Sequence, residues 1–180
     1  MKLCALALLA TASVSLAIDA RDSSPIASTI TTTIANVQAS IDNLTNAAKA
    51  FDGHNIDPIV DASNSLIQTI TSGILTSEDP KLTTFQALAL QTPVADLKSH
   101  AQGLLDTFKA GLDQIEMAKA CGKTRLQLGK ISDSGGKLID SIVGKIPGFA
   151  QKIAEGQTAP IKKMLIDAAN IFSEGNCVDS

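Results

Sequence analysis

Few residues in this chain have the type and spacing to do chemistry. The 180 residues hold three cysteines, two histidines and 18 carboxylates. Cys4 lies in the apolar N-terminal run. Cys121 and Cys177 remain, and in an oxidising compartment an even pair reads as one disulfide tying the C-terminal tail to the middle of the chain. The alternative for them is a pair of free buried thiols. His54 falls in a loop and His100 on a helix, and neither has a second ligand at i+3 or i+4, so no zinc site is expected. A nucleophile elbow, a phosphate-cradling glycine loop and a dinucleotide fingerprint are all missing. The sequence therefore predicts no catalytic residue, no metal and no cofactor: the chain does not read as an enzyme. Asn43-Leu44-Thr45 is an N-glycosylation sequon, with Asn43 off the apolar face of its helix.

The elements around these residues begin with a leader. Met1-Lys2 precedes an apolar run from Leu3 to Ala12, and Ser15-Leu16-Ala17 puts small residues where a signal peptidase reads. Residues 1–17 are expected to be a secretory signal peptide, residues 18–23 a flexible mature N-terminus, and residues 24–180 one domain. No other stretch is apolar enough to span a membrane. Residues 18–97 carry nine acids against three bases, and residues 98–180 nine against eleven. Neither half has a dense basic cluster interleaved with aromatics, which argues against nucleic acid as a partner. Trp and Tyr are absent and Phe occurs five times, so the interior must be built from aliphatic side chains.

The hydrophobic spacing is helical throughout. Ile26, Ile30, Ile34, Val37, Ile41, Leu44, Ala48 and Phe51 follow one another at steps of three and four, which places them on one helix face. Ser24 and Pro25 would open this helix, and Gly53 would close it. Asp57-Pro58 and Asp79-Pro80 read as two further helix starts. The second helix carries Ile59, Ser63, Leu66 and Ile70. The third is expected over residues 80–119, kinked near Pro93, with Leu97, Leu104, Phe108 and Leu112 on its stripe. A fourth carries Leu138 and Ile142, with Gly135-Gly136 either bending it or admitting a close neighbour. A fifth, with Leu165, is disturbed in its first half by Gly156 and Pro160. The fold class is all-α: an elongated bundle of about five long antiparallel helices.

Such stripes can pack dry on one another or leave a seam for an acyl chain, each buried methylene contributing ~0.8 kcal/mol. Periodicity alone favours the dry core. For the seam, the lining residues are Ile30, Ile34, Val37, Ile41, Leu44, Ser63, Leu66, Ile70, Leu97, Leu104, Phe108, Leu112, Leu138, Ile142 and Leu165. Ser63, a hydroxyl in an apolar column, either bonds its own backbone or faces a ligand head group.

Four stretches carry a resemblance: IANVQASIDNLTNAAKAFDG, DPIVDASNSLIQTITSGILTSEDPKLTTFQALALQTPVADLKSHAQGLL, GKLIDSIVGKIP and IDAANIFSEG. Together they make the chain resemble the fungal hydrophobic surface binding protein A family, which includes cell-wall galactomannoproteins. Cys121, Cys177 and Pro93 are not among the features that carry it. The resemblance implies a five-helix bundle that encloses long-chain fatty acids or other lipids, or attaches to hydrophobic surfaces and recruits a secreted hydrolase. With the leader, it implies a secreted, extracellular or cell-wall-associated protein. The expectation is thus a non-catalytic lipid-binding protein. Its rivals are a structural cell-wall mannoprotein with a packed core and no ligand, and a helical inhibitor of a secreted enzyme. The inhibitor type is disfavoured because it uses an N-terminal cysteine pair that is absent here.

Overall fold

The structure is a computed structural model and describes residues 25–179. The leader, the 18–23 segment and the Ser24 cap fall outside these residues. Within them the chain is helical, with α1 (Pro25–Lys49), α2 (Asp57–Ser72), α3 (Thr84–Ala89), α4 (Gln91–Ala110), α5 (Leu112–Met117), α6 (Cys121–Val143) and α7 (Gly148–Ile171). Five of these are long and two are single short turns.

The stretch expected as one kinked helix over 80–119 is divided into α3, α4 and α5, and the break lies at Leu90 rather than Pro93. Pro93 is instead the third residue of α4. There its missing N–H would have had no intrahelical partner, so the ring is tolerated. Thr83 opens α3 with a reciprocal capping box, its hydroxyl accepting from Gln86 N while the Gln86 side chain accepts from Thr83 N.

The two Asp-Pro pairs do not cap helices. Asp57 is already inside α2, whose cap is Ile56 with no side-chain bond, and Asn55 Oδ1 accepts from Asp57 N at 2.9 Å. Asp79 closes a loop by accepting from the backbone N–H and hydroxyl of Thr76, and these bonds hold its carboxyl below the ordinary value. In the loop after α1, the backbone N–H of His54 does the same for Asp52. Gly53 there has φ of +83°, a conformation that favours glycine, but α1 itself ends four residues earlier at Lys49. Helix α7 runs unbroken through Pro160, contrary to the expected disturbance.

The long helices close a ring. Helix α1 packs on α2 and α4, α2 on α6, α6 on α7, and α7 on α4. Cross-contacts give the directions. Ser40 Oγ lies 3.1 Å from Thr69 Oγ1 and a Cβ on Gly73 would strike Thr33, so α1 and α2 run oppositely. Gln38 Nε2 donates to Pro93 O at 3.2 Å and His100 Nδ1 lies 2.6 Å from Asp42 Oδ1, so α1 and α4 run the same way. Leu75 N donates to Ser141 Oγ at 3.1 Å just beyond α2, which makes α2 and α6 parallel. Lys162 pairs with Asp140 while Gly135 meets Leu165, so α6 and α7 are opposed.

The apolar stripes all point into this ring. The main core gathers Val37, Ile41 and Leu44 of α1, Leu66 and Ile70 of α2, Phe108 of α4, and Leu128, Ile131 and Leu138 of α6. A second cluster, at the end where α1 begins, holds Ile26, Ile30, Ile34, Leu82, Leu90 and Ile146. The ring is sealed at its other end by the Cys121–Cys177 disulfide, with Cα atoms 5.7 Å apart. No described helix is long and apolar enough to cross a membrane.

Candidate functional site: an aliphatic slot in the helix ring

At the centre of the ring lies a cavity of about 90 Å³. All five long helices line it: Val37 and Ile41 from α1; Leu66 and Ile70 from α2; Leu97, Ala101, Leu104, Leu105 and Phe108 from α4; Leu128, Ile131, Gly135, Leu138 and Ile139 from α6; and Ile161, Met164, Leu165 and Ala168 from α7. Each helix contributes because its stripe faces the ring axis. No carboxylate, amine, imidazole or hydroxyl reaches the lining. Such a surface has nothing with which to move a proton or attack a carbonyl. It can hold only apolar matter, through dispersion and exclusion of water.

Nine of the residues expected from sequence meet here: Val37, Ile41, Leu66, Ile70, Leu97, Leu104, Phe108, Leu138 and Leu165. The others do not. Ile30 and Ile34 belong to the cluster at the beginning of α1, with Leu82 and Leu90 over them. Leu44 is packed solid in the main core, and Leu112 lies on α5 against that core. Ser63 is buried on α2 outside the lining. Ile142 lines a neighbouring groove. Asn43 is exposed on α1.

Nine of the eighteen lining residues were not expected at the site, and three of these are small. Ala101, Gly135 and Ala168 line the slot by leaving volume unfilled. A Cβ on Gly135 would stand 3.0 Å from Leu165 Cδ1, so the glycine at this position is what lets Leu165 of α7 approach α6. Of the two readings of the Gly135-Gly136 pair, close approach is the one the packing displays at Gly135, since α6 runs uninterrupted.

The neighbouring groove, about 160 Å³, lies where α3, the start of α4, the end of α6 and the start of α7 meet. Ala87, Leu90, Val94, Ile142, Ile146 and Ala150 form its floor, and Leu88, Phe149 and Ile153 stand at its rim. Phe149 is 74% exposed and Ile153 63%. Val94 and Leu97 pack against both the cluster at the beginning of α1 and the one around Leu105 and Met164, and Ile142 against the first of these and the main core, which makes the groove continuous with the slot's surroundings. Elsewhere, Glu116 approaches Cys121 and Cys177, but the two sulfurs are bonded to each other and Glu116 Oε1 accepts from Val178 N. That trio cannot ligate a metal while the disulfide stands.

The family model described as Hydrophobic surface binding protein A matches residues 27–144, well over half of the chain. Cell wall mannoprotein 1 of Aspergillus fumigatus is 30% identical over 135 residues, covering 72% of this chain and 48% of that protein. The Aspergillus flavus protein of the same name is 28% identical over 144 residues, covering 78% and 52%. The chain thus spans about half the length of these curated relatives. Among solved structures, ligand binding domain 1 of the Penicillium marneffei MP1 protein, complexed with arachidonic acids, superposes with a TM-score of 0.78 at 16% identity, covering 82% of this chain and 99% of that one. AFMP4P in complex with palmitic acid gives 0.74 at 17% identity, with 82% and 99% covered. These likenesses establish a shared fold. The sequence match goes further, and on it the chain belongs to the hydrophobic surface binding protein A family.

Proposed function

We propose that this protein is a secreted, non-catalytic binder of long-chain fatty acids or similar lipids, and that the acyl chain lies in the slot at the centre of the ring. The observation that carries the reading is the lining: eighteen residues from five helices, with no polar side chain among them. Two solved structures of the same fold are described with arachidonic and palmitic acids, which supports the same ligand class here. The relatives' name supports an extracellular or cell-wall location, in keeping with the leader.

The slot's size sets a condition. Sites for small organic molecules run to ~300–1,000 Å³, and a cavity of ~150 Å³ takes up benzene. At about 90 Å³ this one cannot accept a long acyl chain without movement. The side chains that would move are aliphatic, and Met164 is among the most adaptable. Burying the fourteen methylenes of palmitic acid at ~0.8 kcal/mol each offers a gross gain of ~11 kcal/mol toward parting helices whose inward faces meet through apolar stripes. A second reading draws on the same small volume: a structural cell-wall mannoprotein whose core stays shut.

Native mass spectrometry of protein purified from a lipid-rich host separates the two. The binding reading predicts an adduct of a few hundred daltons that organic extraction removes and added palmitic acid restores. Bare protein that also fails to take up palmitic acid contradicts it.

A further inference from the structure

We propose that Thr124 and Gln127 of α6 form the head-group subsite of the slot and receive the carboxyl group of a bound fatty acid. The inference rests on the acyl-chain reading above and deepens it. Its starting point is two orphaned atoms. Thr124 Oγ1 and Gln127 Oε1 are buried without a hydrogen-bond partner, the only such side-chain atoms among the described residues. Thr124 is 3% exposed and Gln127 8%. A buried polar group without a partner is costly, so two within one helical turn form an arrangement that invites a polar occupant.

Their position connects them to the slot. At 100° per residue, Thr124 falls in the middle of the stripe formed by Leu128, Ile131, Gly135 and Leu138, all of which line the cavity. It sits one turn beyond Leu128, toward the disulfide. Gln127 flanks it on the side of α6 that faces α2. The same flank carries Ser141, which bonds Leu75 just past α2. Counting back from that bond along the two parallel helices brings buried Ser63 to about the level of Gln127. This puts a small polar patch one turn beyond the slot's lining, beneath its stapled end, where an acyl chain that extends the slot toward the disulfide would meet it.

The chemistry of the patch selects the ligand. The threonine hydroxyl can donate or accept, and the buried, unpartnered Gln127 amide oxygen accepts. One donor and one acceptor side by side complement a carboxyl group, which accepts through its carbonyl and donates through its hydroxyl. The adjacent Arg125 does not compete, being engaged with Phe172 O, Cys177 O and Glu174. A fatty acid seated this way places its carboxyl at the patch and its tail along the slot, toward the α3 end.

The test compares palmitic acid with its methyl ester by fluorescence displacement, on wild type and on the Thr124→Val/Gln127→Leu double variant. Wild type is expected to bind the acid about tenfold more tightly than the ester, the effect of one unmatched buried hydrogen bond. In the double variant the acid should lose about tenfold while the ester changes less than twofold, which brings the ratio near one. An unchanged ratio overturns the subsite and leaves the acyl-chain reading intact; this is also the result if ordered water alone serves the two atoms. Wild type that binds neither ligand overturns both. A thermal melt confirms folding. Should the double variant fail to fold, the isosteric Thr124→Val alone is expected to lower the ratio, and an unchanged ratio there overturns the subsite equally.

Discussion

The two ends of the helix ring are built differently. At the end where α6 begins, the Cys121–Cys177 bond pins the C-terminal tail to the start of α6. Phe108 and Phe172 meet edge-to-face with ring centroids 5.8 Å apart. Arg125 Nε donates to Phe172 O at 2.6 Å, and Asp179 Oδ1 accepts from Cys121 N at 2.8 Å. Covalent, aromatic and charge-assisted contacts coincide there. At the opposite end a six-residue helix, α3, closes the ring with help from the Lys145 ammonium on Asp79 O. Bulky apolar side chains remain outside: Phe85, Leu88, Phe149 and Ile153. A slot that must widen to accept a chain will open where fewer contacts are broken, and that is the α3 end. On the proposed reading, one end is the fixed wall and the other the mouth.

Removing the wall should have the largest effect. Cys121→Ser/Cys177→Ser releases a closed loop with a sequence separation of 56 residues, and loop entropy alone assigns the bond about 4 kcal/mol. Denaturant unfolding is expected to lose most of that; a loss under ~1 kcal/mol would mean the two ends are held about equally. Gly135→Val comes next. The new side chain meets Leu165 and fills the slot, with a strain cost of about 1–3 kcal/mol. Palmitic acid affinity by calorimetry should fall at least tenfold, and an unaltered affinity would move the acyl chain elsewhere.

At the mouth the effects should be on rate. Phe149→Ser/Ile153→Ser removes exposed side chains, so stability should stay within ~0.5 kcal/mol. Uptake of fatty acid from lipid vesicles in stopped flow should slow several-fold at unchanged equilibrium affinity. The smallest effect concerns Asp79. Its carboxyl is held below the value of 3.8 by Thr76. A depressed native pKa contributes stability that is fully present above 3.8 and lost as pH falls through the native value. Asp79→Asn should therefore be less stable than wild type at pH 6 by thermal melt, and the gap should close as pH drops below 3.8.

The wall and the helices were legible in the sequence; the slot and the mouth were less so. The stripe of α1 recurs at steps of three and four from Ile26 to Leu44, and a 3.6-residue period needs no knowledge of neighbours. The Cys121–Cys177 pairing followed from parity and an expected secretory leader. Asp57 and Asp79 misled because Asp before Pro suits a loop as well as a cap, and only Thr83 with Gln86 formed the reciprocal bonds. Pro93 misled because proline marks either a break or a first turn. Ile30 and Ile34 share a stripe with Val37 and Ile41, yet the stripe crosses two clusters whose boundary is set by where Leu82 and Leu90 fold over it. A cavity is volume left unfilled, so Gly135, Ala101 and Ala168 give no hydrophobic signal. Thr124 and Gln127 were read past for the opposite reason: a polar residue inside an apolar column looks like an ordinary interruption until its burial is seen.

The central claim is that the acyl chain lies inside the ring. Isotope-edited NMR of the protein loaded with carbon-13-labelled palmitic acid tests it directly. The account predicts nuclear Overhauser contacts from the chain's methylenes to the methyls of Ile131, Leu138, Met164 and Leu165. Contacts confined to Leu88, Phe149 and Ile153 would place the lipid on the outside of the bundle and contradict it.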